Sequence, residues 1–302
     1  MEINLTGYLL FMGCSAAACI LWFFLSLRRT VPAGRAAALA GLTLVFGIVL
    51  GTVGARGVWL LCRINTRPAV LPVFYDELSY YGGVAGVIAA AALAAKLTGQ
   101  PVRGTLNAFA PMGALMAAAA RFAEGFLGLL GLGAWMEEGI FFPVTVEIAY
   151  DEYYSEFYLA VFMLEGLFAL IAMVFALCHG KDPNRMLRTL FYLCLPQVLC
   201  ESLRAVSINW LFVRAEQLFC FLFCEAVLVW YAFRNGAKQF RSWIPALVGL
   251  AVCGLVITAE FALDGKILIR EEMIPHWITY AFVAAGLAGI AVAEHIGNRR
   301  AA

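Results

Sequence analysis

Long apolar runs broken by short polar joints set the pattern of this chain. Nine stretches, 6–27, 37–61, 82–97, 106–130, 156–177, 187–206, 215–232, 243–260 and 275–293, are apolar over lengths near the ~20 residues needed to cross ~30 Å of hydrocarbon. The pattern predicts an all-α, polytopic transmembrane helical bundle of about nine spans. The third stretch is short and rich in Ala and Gly, which suits close contact with other helices. The longest polar gap, roughly 131–155, is too short for a soluble domain. No linker, low-complexity segment or internal repeat stands out.

Composition agrees, with 63% of the 302 residues hydrophobic and only 14% charged. The net charge of +1 implies no nucleic-acid partner. The placement of the charges is more informative. With the N-terminus outside and the C-terminus in the cytoplasm, inner loops hold thirteen of the 21 basic residues, among them Arg28, Arg29, Arg188 and Arg241. The reverse orientation puts that majority outside, against the positive-inside rule. The run FMGC at 11–14 is followed, not preceded, by basic residues, the flank of a retained helix and not of a cleaved signal peptide. Nine cysteines sit mostly inside apolar runs, with no zinc-type spacing, and act as small buried hydrophobes. No metal or cofactor is expected.

Polar residues inside the apolar runs carry the candidate chemistry. Arg121 and Glu124 are three apart and share a helix face. Gln197, Glu201 and Arg204 share another, with Pro196 just before them to bend the helix. Arg56 lies near the outer end of the second run. These residues, with Tyr80 and Tyr81 of ELSYYGG (77–83), fall at one depth in the outer half of the membrane. Inward-facing arginines at headgroup level make a seat for phosphate, because guanidinium forks match phosphate oxygens. Phosphate in the outer leaflet means a phospholipid headgroup. The bland reading is a set of ion pairs that locks helices together. Glu165 and Glu225, mid-run, have no obvious local partner and receive no role. The Gly82–Gly83 pair either lets a ligand approach the backbone or forms a helix-packing notch.

Five segments, in order, resemble the bacterial prolipoprotein diacylglyceryl transferases: GTVGAR (51–56), LSYYGGVAG (78–86), APMGALMAAAARFAEGF (110–126), GIFFPVTV with FYLAVFMLEGL (139–146 and 157–167), and QVLCESLR with AEQL (197–204 and 215–218). The resemblance covers about residues 5–232 and implies a seven-helix core over 1–234, with two additional transmembrane helices in 235–302. It implies an enzyme of the bacterial cytoplasmic membrane that moves diacylglyceryl from phosphatidylglycerol to the lipobox cysteine of a prolipoprotein. Its partners are then the lipid, a prolipoprotein signal peptide and the membrane itself. The chain departs from the family pattern at Tyr81, in place of a His, at Glu124, in place of an Asn, and at Gln197, in place of an Arg. Carried onto this chain, the chemistry falls to Arg121, Tyr81, Arg204 and Glu201. Arg56, Tyr80, Gly82, Gly83, Glu124 and Gln197 are then placed around the substrate. Tyr81 is a poor base at its ordinary pKa near 10. The alternatives are a non-catalytic lipid-binding protein that kept the scaffold, and a transporter. The outer loop 264–273 is a contact for an acceptor or a solvated hairpin. The acidic segments at 137–138 and 151–156 could guard entry, and Tyr153, Tyr154 and Tyr158 fit an interfacial belt.

Overall fold

The computed structural model describes residues 3–66, 68–71, 76–149, 154–210, 213–263, 268–269, 272–273 and 275–301. The protein is mostly helical. Among the described residues the helices are α1 (Leu5–Leu27), α2 (Ala33–Cys62), α3 (Tyr80–Leu97), α4 (Val102–Ala123), α5 (Val161–Cys178), α6 (Arg185–Leu203), α7 (Ala215–Arg234), α8 (Phe240–Leu263) and α9 (His276–Ala301). Each overlaps one expected run. Seven are long and apolar enough to cross a membrane, which makes this a multi-pass membrane protein; α4 and α6 are not among those seven.

Local chemistry explains the boundaries. The Asn4 side chain caps α1 by accepting from the Gly7 N–H at 2.8 Å. Pro32 and Pro101 precede α2 and α4, where a missing N–H costs nothing. Gly99, at φ +68°, closes α3 in a conformation that only glycine adopts cheaply.

The largest difference from the sequence expectation lies between α4 and α5. The apolar run 106–130 does not stay helical. The α-helix stops at Ala123 and gives way to 3-10 turns over Glu124–Phe126 and Gly128–Gly131, with Gly128 at φ +70°. The expected fifth run begins not as helix but as a strand. Strands β1 (Trp135–Met136), β2 (Thr145–Ala149) and β3 (Ser155–Leu159) form an antiparallel sheet in the order β1-β3-β2. Thr145 pairs with Leu159 and Ala149 with Ser155. The all-α reading therefore needs a correction: a short aromatic-rich stretch, SEFYL, pairs with β2 because strand pairing satisfies its backbone outside the helices. Tyr153 and most of the 264–273 loop lie outside the described residues. The described part of that loop pairs Leu268–Ile269 with Glu272–Met273.

The chain forms two compact units: Met1–Leu193 with Leu203–Glu216, and Cys194–Ser202 with Gln217–Ala302. In the first unit, α2 and α3 approach so closely that a Cβ on Gly82 would collide with the Gly54 carbonyl, and one on Gly86 with the Leu50 carbonyl. This is small-residue helix contact of the kind that drives association in lipid. The core of this unit includes Phe23, Leu39, Ala94 and Met112, with Phe23 edge-on to Phe109 at 5.2 Å. In the second unit, the buried Tyr231 of α7 bonds Glu294 and Asn298 of α9, each at 3.1 Å. At the opposite end of α7, Gln217 donates to the Val198 carbonyl at 3.0 Å and to the Ser202 hydroxyl at 2.9 Å, while Ser202 also bonds Glu260 of α8.

Candidate functional site

In the first unit, the C-terminal ends of α4 and α6 and the N-terminal ends of α3, α5 and α7 each contribute to one polar cluster. Ser79 starts it. As the N-cap of α3 it accepts from the Gly82 N–H, and its hydroxyl donates to Glu216 Oε1 at 2.9 Å. The Tyr80 N–H, one of the donors a helix start leaves unsatisfied, also donates to Glu216 Oε1, at 2.7 Å. Glu216, the second residue of α7, thus caps α3 from a distant part of the chain.

Arg121 is the centre of the cluster and is only 2% exposed. Its Nη1 meets Glu124 Oε1 at 2.6 Å, its Nε lies 3.3 Å from Glu165 Oε2, and its Nη2 lies 3.5 Å from Glu216 Oε2. The last separation is an ion pair without hydrogen-bond geometry, and Nη2 is buried with no hydrogen-bond partner among the described residues. The guanidinium carbon sits 3.5 Å from the centroid of the Tyr80 ring, in cation–π contact. Arg204 stands beside it. Its Nε donates to Glu165 Oε1 at 3.0 Å, its Nη2 bonds both Glu165 and Glu124, and its Nη1 donates to the Leu130 carbonyl at 3.2 Å. The backbone of Arg204 is held by a bridge to Gly133, which places α6's end against the sheet segment.

Two guanidinium groups therefore share three carboxylates, a formal balance of 2 − 3 = −1 with every group ionised. Such a group of charges out of water is tolerable only because each is paired and hydrogen-bonded. The tyrosines are also committed. The Tyr80 hydroxyl donates to the Ala117 carbonyl at 2.9 Å and the Tyr81 hydroxyl to the Leu193 carbonyl at 3.0 Å, with the two rings packed edge to face.

The candidates named from sequence divide into four groups. Arg121, Arg204, Glu124, Tyr80 and Tyr81 come together. Arg56 holds a different carboxylate: its Nη1 meets Glu77 Oε2 at 2.6 Å and its Nη2 donates to the Ala69 carbonyl at 2.7 Å, with the Trp59 ring 4.5 Å away. It fastens the segment before α3. Gln197 and Glu201 belong to the second unit, where the Gln197 amide donates to Glu201 at 3.1 Å. Gly82 takes the packing-notch role, its open side filled by α2; a Cβ on Gly83 would make only ordinary contact, 3.7 Å from Ala55.

Sequence reasoning left out Glu165 and Glu216 as working members. The signal for Glu165 was a carboxylate inside an otherwise apolar run, which demands a cationic partner from another helix. Glu216 had the weaker signal of an acidic residue in the first turn of a helix. Among the described residues no group of three His, Cys, Asp or Glu side chains is placed to hold a metal ion.

Comparison with protein-family models, with curated proteins and with solved structures finds no match for this chain.

Proposed function

We propose that the protein acts on phospholipid in a bacterial cytoplasmic membrane, as a divergent relative of the prolipoprotein diacylglyceryl transferases. On this reading it has nine spans, with the N-terminus outside and the C-terminus in the cytoplasm. The transferase-like core ends near residue 234, and α8 and α9 are additions. The observation that carries the proposal is the gathering of Arg121, Arg204, Glu124 and the Tyr80–Tyr81 pair from separate helices at one end of the first unit. Those residues stand in three of the five segments that resemble the family.

The reaction joins the thiolate sulfur of a lipobox cysteine to the phosphate-bearing carbon of the diacylglyceryl moiety of phosphatidylglycerol. The carbon–oxygen bond to phosphate breaks and glycerol phosphate departs with the electron pair. The thiol proton leaves to a base, because the thiolate is the nucleophile. Arg121 and Arg204 stabilise the charge that grows on the departing phosphate, exchanging carboxylate contacts for phosphate oxygens. Glu124 is the residue for the thiol proton. Its side chain is 15% exposed, against 1% for Glu165 and 7% for Glu216. Tyr81, whose proton points to a backbone carbonyl, orients the site.

One observation favours a second reading, a lipid-binding protein without turnover: both cluster arginines already face carboxylates of the chain itself. A single experiment separates the two. Purified protein is incubated with phosphatidylglycerol vesicles and a lipobox peptide, and the peptide is weighed by mass spectrometry. The transferase reading expects a diacylglyceryl mass gain on the peptide, released glycerol phosphate, and loss of both in Glu124→Gln. An unchanged peptide with phosphatidylglycerol retained on the protein in native mass spectrometry defeats the enzyme and supports the binding protein. No mass gain and no retained lipid defeats both.

A further inference from the structure

Apolar side chains crowd one turn outside the helices. Between β1 and β2 the chain runs through Glu137, Glu138 and Gly139 into Ile140, Phe141 and Phe142, which are 58%, 63% and 68% exposed. Trp135, at the base of the same segment, is 55% exposed. Large apolar groups gathered on a surface mark a contact with another apolar phase.

The turn is not loose. The Phe141 carbonyl accepts from both the Val144 N–H at 2.8 Å and the Thr145 N–H at 3.0 Å. The Ile140 N–H donates to the Thr145 hydroxyl at 3.0 Å. The Phe157 ring of β3 fills the space that a Cβ on Gly139 would need, so the turn is seated against the sheet. A backbone closed on itself is what an apolar medium demands, since unsatisfied N–H and C=O groups are costly there.

We propose that residues 140–142 form a wedge that inserts into the lipid leaflet at the end of the first unit where α4 stops and α5 begins. The occupant is lipid because the turn is tethered between helices of a membrane bundle and meets the leaflet without any further encounter. Its composition, two phenylalanines and an isoleucine with a tryptophan behind, is that of interfacial anchors. The two carboxylates just before it, both exposed, set its depth, because charge resists entry into hydrocarbon. A turn also projects successive side chains outward, the shape of a wedge and not of a peptide-binding groove. This inference is independent of the transferase reading and holds for an enzyme or a binding protein alike.

The test uses the full chain in lipid nanodiscs at one copy per disc, with trifluoromethyl-phenylalanine in place of Phe141 and, separately, of Phe142. The fluorine resonance is followed with doxyl-labelled phosphatidylcholine in the disc and then with a water-soluble gadolinium chelate. At both positions the resonance is expected to lose intensity to the lipid label and to be spared by the chelate. The same probe replacing Glu138 is expected to show the reverse. Broadening by the chelate alone at 141 and 142 overturns the proposal. So does shielding from both agents that appears only in discs loaded with two copies, which would assign the tip to a second molecule of this chain.

Discussion

The charge balance of the Arg121 cluster makes an asymmetric prediction about stability. Arg204→Gln removes the fork that bonds Glu165 twice and Glu124 once, leaving three carboxylates around Arg121 and a formal charge of 1 − 3 = −2. Glu165 is 1% exposed at its side chain, so water cannot replace the lost partner. Breaking a buried ion pair by removing one partner costs about 3–5 kcal/mol. Glu216→Gln acts differently. It brings the cluster to 2 − 2 = 0, and the ion pair it removes is the longest of the set, 3.5 Å. The amide oxygen still accepts from Ser79 and from the Tyr80 N–H. Its cost should stay near ~1 kcal/mol, the scale of one hydrogen bond. Thermal unfolding in detergent, followed by tryptophan fluorescence, is the assay. With roughly 2–4 °C per kcal/mol for chains of a few hundred residues, Arg204→Gln should lower Tm by on the order of 10 °C and Glu216→Gln by about 3 °C. Arg204→Lys should fall between, since a point charge keeps the attraction but loses the fork. Equal losses for Arg204→Gln and Glu216→Gln, or a larger loss for the latter, would refute the argument that these arginines are the limiting charge.

Other contacts give further outcomes by the same unfolding assay. Gly82→Ala, which drives a methyl into the Gly54 carbonyl, should cost about 1–3 kcal/mol as an overpacked site; Gly83→Ala should be nearly neutral, and equal effects would exclude the α2–α3 approach as the reason. Ser79→Ala loses the α3 cap and a donor to Glu216 and should cost ~1–2 kcal/mol; a neutral result would mean the cap is redundant. Tyr231→Phe, which removes the hydroxyl bonded to Glu294 and Asn298, should destabilise by roughly 1–3 kcal/mol because it leaves buried polar groups short of a partner. Arg56→Gln should free the segment before α3, seen as faster amide exchange at residues 76–79 with little change in α4; unchanged exchange there would remove Arg56 from the role of fastening it.

Much of the bundle was legible in the chain because one physical rule dominates it. A backbone in hydrocarbon must satisfy its own hydrogen bonds, so a long apolar run becomes helix whatever its neighbours do. That is why the seven helices long and apolar enough to cross a membrane fall on expected runs, most with ends within a few residues. The rule fails between α4 and α5. Residues 124–130 lie inside one expected run and 156–159 at the start of another, yet they form 3-10 turns and a strand: Gly128 turns the chain at φ +70°, and β3 pairs with β1 and β2. Local pattern carries no record of which distant strand will supply those bonds.

The site divides in the same way. Arg121 with Glu124 was visible in sequence because helix geometry alone brings positions three apart together. That buried arginines would need partners was also visible, since charge cannot stand unpaired away from water. Which carboxylates would serve was decided only by tertiary structure. Glu165 lies 44 positions from Arg121 and Glu216 lies 95 away (165 − 121 and 216 − 121), and no periodicity links them. Coulomb attraction depends on distance in space, which the order of residues along the chain does not encode. Sequence alone thus determined that this protein is a membrane-spanning helical bundle with charge to hide, and the fold alone determined which charges hide one another.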